Sequence, residues 1–138
     1  MLTGWTSRPP CAKHPAMHAA LRIAVALIGL GFALQGVGWL AIPGQAAAGL
    51  GMPLLDGLGR STQVGDFASF FLTAGITMLI GSRRGYARLL SVPAGLLGGA
   101  AIARTLAWAL HGADFAGFFI GVEVGVSTGR LVIATFLL

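Results

Sequence analysis

A series of apolar runs constrains this chain most, because each run is long enough to cross a lipid bilayer and the charges are concentrated between them. A spanning α-helix needs about 20 predominantly apolar residues. Two such runs occupy the C-terminal third of the chain and are separated only by His-Gly-Ala-Asp. The sequence therefore predicts an all-α polytopic membrane protein, a bundle of four transmembrane helices at about 19–42, 64–80, 89–110 and 115–138.

Composition argues against a water-soluble domain. Of the 138 residues, 56% are hydrophobic and 9% are charged, whereas a soluble domain has about 25% charged residues. Nine bases and four acids cannot cover the surface of a soluble fold of this length. Cys11 is the only cysteine, which excludes an intrachain disulfide and a cysteine-based metal site.

The segments outside the apolar runs are expected to be irregular. Residues 1–18 are rich in proline and basic residues and are predicted to be a disordered tail, with Met1 and Met17 both open as the start. Residues 44–63 form the longest connection, and its apolar part, 50–58, is expected on the membrane surface. Trp39 and Trp108 lie near span ends and are interpreted as interfacial anchors.

The distribution of Lys and Arg predicts the orientation. Cytoplasmic segments of membrane proteins carry an excess of these residues. If the N-terminus lies inside, Arg60 is alone on the outer side, and six bases lie inside: Arg8, Lys13, Arg22, Arg83, Arg84 and Arg88. We therefore expect a multi-pass protein of the inner cell membrane with both termini in the cytoplasm. We interpret the net charge of +5 as a consequence of this topology, so nucleic-acid binding is not expected.

Four polar residues inside the spans are predicted to form one buried cluster. Charged side chains in a bilayer are costly and turn toward the interior of the bundle, where they find partners. At about 1.5 Å per residue, Gln35, Arg104 and Glu123 lie about 9–12 Å from the outer ends of their spans. The best pairing is Arg104 with Glu123. Asp66, which is shallower, is a second partner for Arg104, and Gln35 is a hydrogen-bonding neighbour.

Secondary polar positions extend this cluster. Ser127 and Arg130 share a face of the fourth span with Glu123, and Thr73 lies on the same stripe of the second span as Asp66. Arg130 is deeper than the others and is expected to extend toward the cytoplasm. The cluster has two open interpretations of similar weight: an ion pair that sets helix register, or a binding or transport site.

No catalytic constellation is recognisable. The three histidines lie outside the spans, so they cannot hold a haem between helices. His, Cys and carboxylates do not have metal-ligand spacing, and the glycines lie in apolar helices rather than in a phosphate-binding loop. We therefore expect no metal, no cofactor and, on balance, no enzymatic activity.

Several segments together resemble a known family. The first span ends in Ile-Pro at 42–43, Leu-Gly-Met-Pro follows at 50–53, and the second span carries glycines between 67 and 81. The run 98–104 ends in Arg104, and a Gly-Ala-Asp turn leads to the helix that holds Glu123. Over about 20–138, the chain resembles the domain of unknown function 4345 family of small four-helix bacterial membrane proteins. The resemblance implies the fold and a membrane location, and it implies no activity.

Three functional hypotheses follow from these features. The first is a non-enzymatic structural or accessory protein, because the glycine-rich helices suit a membrane-protein partner or a homo-oligomer. The second is a small transporter or permease-like protein that uses the buried carboxylate. The third is a membrane enzyme, or a module that binds a lipid or quinone, in which Arg104 holds an anionic or carbonyl head group. The sequence does not identify the small-molecule ligand.

Overall fold

The structure is a computed structural model that describes the backbone of residues 15–137 and the side chains of 16–129. Within these residues the chain is all-α, without strands. The predicted helical class is therefore confirmed. Five α-helices and one 3-10 turn follow in the order α1 Pro15–Ala41, α2 Pro43–Gly49, α3 Gly57–Gly81, the 3-10 turn Ala87–Leu90, α4 Ser91–His111 and α5 Gly117–Leu137.

Two helices begin well before their predicted spans. α1 begins at Pro15, so residues 15–18 are helical rather than part of a disordered tail; residues 1–14 lie outside the described part. α3 begins at Gly57, seven residues before the predicted 64. Its first two turns are polar, so an apolar run does not reveal them, and an Arg60–Asp56 ion pair at 2.6 Å lies at its start.

The predicted connection 44–63 also contains a helix, α2, which hydropathy alone does not indicate. Pro43 occupies one of its first positions, where the fixed φ of proline suits a helix and its missing N–H is not needed. The residues 50–56 that follow are held by the buried side chain of Gln63. Its amide nitrogen donates to the carbonyl oxygen of Pro53 (3.1 Å), and its oxygen accepts from the N–H of Leu55 (3.0 Å).

The four long helices form two tightly packed pairs. α1 packs along α3, and α4 packs along α5; the pairs meet mainly through α3 and α4, whereas α1 and α5 touch at few points. Glycines let α1 and α3 approach closely. A Cβ on Gly29 would lie 2.8 Å from the Cβ of Met78, and one on Gly36 would lie 2.9 Å from the backbone nitrogen of Leu72. Small residues at such crossings favour close helix packing.

α2 covers one end of the α1–α3 pair and changes the environment of Trp39. This indole is fully buried, together with Ala46 and Ala47 of α2, and stacks on Phe67 with ring centroids 4.7 Å apart. The interpretation of Trp39 as an interfacial anchor is therefore wrong, because α2 folds back over it. Trp108 remains half exposed and packs edge-on against Phe115.

The outer surface of the bundle is apolar. Among the residues whose side chains are described, three segments are long and apolar enough to cross a membrane: Ala16–Ala41, Gly57–Gly81 and Ala87–His111. Only 22–28% of their most apolar windows is buried inside the bundle. In α5, the part with described side chains, Gly117–Gly129, is apolar but shorter than a span. Large aliphatic side chains project outward from α1 and α4, among them Ile23, Leu27, Leu34, Ile102 and Leu110. A soluble protein rarely exposes such continuous apolar surface.

Candidate functional site

A cavity of about 780 Å³ lies where the four long helices meet. Its polar wall consists of Asp66 from α3, Arg104 from α4 and Glu123 from α5. Much of the remaining wall is aromatic, with six phenylalanines from three helices: Phe32, Phe67, Phe70, Phe71, Phe118 and Phe119. The loose contact between the two helix pairs leaves this space, because α1 and α5 do not close against each other.

Arg104 and Glu123 form an ion pair in this cavity, as predicted from their depths. The guanidinium Nε donates to the Glu123 Oε1 at 2.8 Å. The Glu123 side chain is 8% exposed and that of Arg104 is 34% exposed, so the pair joins a buried acid to a base on the cavity wall. The guanidinium carbon also lies 4.9 Å from the ring centroid of Phe119, at cation–π distance.

The second carboxylate oxygen of Glu123 is unsatisfied. Oε2 is buried and has no hydrogen-bond partner among the described residues. Buried polar atoms are almost always paired, so an exception calls for an explanation. Glu123 lines the cavity, so one explanation is that a bound ligand supplies the missing hydrogen-bond donor.

Ser127 supports the position of Glu123 from one turn along α5. Its hydroxyl lies 2.7 Å from the carbonyl oxygen of Glu123 and 3.1 Å from that of Ala94 in α4. The same α4–α5 contact is close at Gly98, where an added Cβ would lie 3.4 Å from the Ser127 hydroxyl oxygen. Ser127 therefore links the helices that carry the ion pair, and it does not itself line the cavity.

The other predicted site residues are not brought into contact with the ion pair. Asp66 lines the cavity but is exposed, and within the described side chains it forms no ion pair with Arg104, whose guanidinium faces Glu123 and Phe119. Gln35 lines a smaller cavity of about 260 Å³, which shares Phe32 and Phe71 with the main one but does not include the ion pair. Thr73 is exposed on α3 and lines neither cavity. The side chain of Arg130 lies outside the described residues.

A second apolar cavity of about 320 Å³ adjoins the first one. Val122 of α5 lines both, and the smaller cavity continues along α1 and α5 past Val25 and Val126 toward Leu90. The two cavities thus follow the open seam between α1 and α5. Together they offer a polar wall at one end and an apolar space at the other.

Sequence reasoning missed the aromatic wall and the role of Gln63. Phenylalanines in a spanning helix are usually read as lipid-facing, yet Phe67, Phe70 and Phe71 lie at i, i+3 and i+4, which places them on one helix face beside Asp66. This spacing was the sequence feature from which the aromatic wall could have been predicted. For Gln63, nothing in the sequence indicated a residue that holds the preceding loop.

Among the described residues, no group of three or more His, Cys, Asp or Glu side chains could hold a metal ion. Comparison with known proteins identifies no relative: no protein family, no curated protein and no solved structure matches this chain. The candidate site therefore has to be interpreted from its own chemistry.

Proposed function

We propose that this chain is a non-enzymatic, multi-pass protein of the inner cell membrane that binds a membrane-soluble small molecule between its helices. The observation that carries the proposal is the cavity of about 780 Å³, which combines an aromatic wall with the buried Arg104–Glu123 pair. Ligand sites are concave and mostly apolar, with a few convergent polar groups. A buried carboxylate oxygen without a donor adds the kind of unmet hydrogen bond that a ligand can satisfy.

A second candidate function is an accessory subunit of a membrane complex or a homo-oligomer. It is favoured by Gly121 of α5, where an added Cβ would meet nothing within 4 Å and which lines neither of the two main cavities. Gly125 and Gly129 also have open space, but they line the cavity of about 320 Å³. A small residue on an open helix face suits a close-packing partner helix. Stable co-purification of another membrane protein would favour this function.

Membership of the domain of unknown function 4345 family is likewise proposed, on the residue resemblance alone.

The proposed topology has four spans and both termini in the cytoplasm. Accessibility labelling tests it on a Cys11→Ser background, with single cysteines at Leu58 and Arg84, which are both exposed. These positions are preferable to Gly57 and Gly85, whose φ values of +56° and +86° disfavour other residues. We expect an impermeant maleimide to label L58C in intact cells and to label R84C only after permeabilisation. Labelling of R84C from outside would contradict this orientation, and Cys11→Ser alone is the control.

Filling the cavity tests the proposed binding function. Gly31 and Gly38 lie two turns apart on α1, and a Cβ on either meets no atom within 4 Å, but only Gly31 lines the cavity. We expect Gly31→Phe to weaken binding of a neutral apolar probe, pyrenebutanol, by about tenfold or more, and Gly38→Phe to leave it unchanged. Binding is measured by fluorescence titration in phosphatidylcholine nanodiscs, with empty discs as the blank.

Native mass spectrometry of the detergent-purified protein complements this titration. A retained small molecule in the wild-type protein and in Gly38→Phe, with lower occupancy in Gly31→Phe, supports the cavity as the binding site. Equal probe affinity of the two variants, or no saturable binding to the wild-type protein, would contradict the proposed function.

A further inference from the structure

The charged groups on the wall of the main cavity do not balance. Asp66 and Glu123 contribute two carboxylates and Arg104 contributes one guanidinium, which leaves one formal negative charge. The chain as a whole has a net charge of +5, so the cavity is acidic in a basic protein. Charges that face a cavity with apolar walls act through a low effective dielectric, and the sign of this excess therefore matters for what can bind.

One N–H of Arg104 is bonded to Glu123, and the nearness of this carboxylate disfavours an anionic ligand. The Arg104 Nε is bonded to Glu123 at 2.8 Å, and its guanidinium lies over the ring of Phe119 at 4.9 Å. An anion that displaced Glu123 from Arg104 would leave a buried carboxylate without its partner. An anion that bound Arg104 from the other side would lie close to the same carboxylate and be repelled by it.

Glu123 has unused capacity to accept a hydrogen bond. The residue is 6% exposed, and its Oε2 has no partner within residues 16–129. This oxygen is covered in the structure, so a ligand reaches it only when the carboxylate turns about its terminal torsion, which is broad in glutamate. The group that best satisfies a carboxylate oxygen in an apolar site is a charged N–H donor.

The aromatic wall also favours a positively charged ligand. Six phenylalanines line the cavity, and Phe67, Phe70 and Phe71 flank Asp66 along α3. The faces of aromatic rings carry negative quadrupole charge and attract cations, including alkylammonium groups. Rings also provide apolar contact for a flat or extended hydrocarbon body.

We propose that the cavity binds an apolar molecule that carries a protonated amine. The ammonium group lies between Asp66 and Glu123, and the apolar body contacts the phenylalanines and extends past Val122 into the adjoining cavity of about 320 Å³. This inference rests on the proposed binding function and names its ligand class. Asp66, which is exposed and also lines a cavity at the start of α3 with Leu58 and Thr62, is the first carboxylate that such a molecule meets.

Three probes with one apolar body test the ligand class: pyrenebutylamine, pyrenebutanol and pyrenebutyric acid. Each is titrated into phosphatidylcholine nanodiscs that contain the full chain, with empty discs subtracted. We expect the amine to bind at least tenfold more tightly than the acid, with the alcohol between them. Non-specific attraction would favour the acid, because the protein is basic, so the expected order cannot arise from net charge.

Matched variants show whether the preference for the amine over the acid arises at the cavity. Asp66→Asn leaves the Arg104–Glu123 pair intact and is expected to reduce the preference for the amine over the acid by threefold or more. Asp114→Asn makes the same charge change in the exposed α4–α5 connection, away from the cavity, and is expected to leave the preference unchanged. Glu123→Gln should remove the preference altogether, provided that its circular dichroism matches that of the wild-type protein.

The outcomes separate this inference from the proposed function. If the alcohol and the acid bind saturably and the amine has no advantage, the ligand class is overturned and the binding function stands. If none of the three probes binds saturably, the proposed function fails. An equal loss of preference in Asp66→Asn and Asp114→Asn would also overturn the inference, because the selectivity would then reflect the charge of the whole chain.

Discussion

Replacement of Arg104 by leucine is expected to lower the free energy of unfolding by about 3 kcal/mol, because it removes the partner of a buried carboxylate. Glu123 is 6% exposed, and its Oε2 already has no hydrogen-bond partner in the described part of the chain, so loss of Arg104 would leave both oxygens without a donor. Arg104 itself is one-third exposed, which places the expected loss at the lower end for a buried pair. Reversible unfolding in mixed detergent micelles measures the difference.

The double variant Arg104→Leu/Glu123→Leu discriminates the charge effect from lost packing. Replacement of both members of a buried pair by apolar residues is often neutral or stabilising, so the double variant is expected within about 1 kcal/mol of the wild-type protein. Arg88→Leu, which removes an exposed arginine from the 3-10 turn, is the control and should change stability by less than about 0.5 kcal/mol. A double variant as unstable as Arg104→Leu would contradict the ion-pair argument.

Gly75→Ala is the second substitution with a large expected effect, because there is no room for a methyl group where α1 crosses α3. A Cβ at this position would overlap the backbone nitrogen of Ala33 and lie 2.7 Å from the carbonyl oxygen of Gly29. Backbone atoms cannot move aside as a flexible side chain can, so the helices must separate. We expect a loss of about 3 kcal/mol, at the upper end for an overpacked core, measured by the same unfolding experiment.

Gly65→Ala provides a matched control in the same helix. Its Cβ would meet nothing within 4 Å, and alanine favours a helix over glycine by about 0.5–1 kcal/mol. Gly65→Ala should therefore be neutral or slightly stabilising. Similar destabilisation by Gly65→Ala and Gly75→Ala would mean that the close α1–α3 contact does not account for the effect.

Helical class and the Arg104–Glu123 pair were both predictable from the sequence. The apolar runs indicated long helices, and a constant rise per residue gave the two charges similar depths on either side of one short connection. The pairing then needed little further information, because α4 and α5 are neighbours in the chain and pack against each other. Boundaries were less predictable where polar residues continue a helix, as in the first turns of α3.

Residues on helices that are distant in sequence were harder to place. Depth alone suggested that Asp66 and Gln35 would join the ion pair, but contact also depends on the direction in which each side chain leaves its helix. Gln35 lies at a smaller adjoining cavity, and Asp66 is exposed on the wall of the main one without an ion pair to Arg104.

The sequence alone thus determined the all-helical class, the apolar character of the long helices, and one ion pair, because these follow from local composition and helix geometry. Tertiary structure alone decided that α2 buries Trp39, that Gln63 holds the 50–56 segment, and that six phenylalanines line one cavity. The cavity depends on how closely the two helix pairs approach each other, and the other two features depend on how the chain between α1 and α3 folds back against that pair. That distance arises from side-chain packing across the whole bundle, which no single segment encodes.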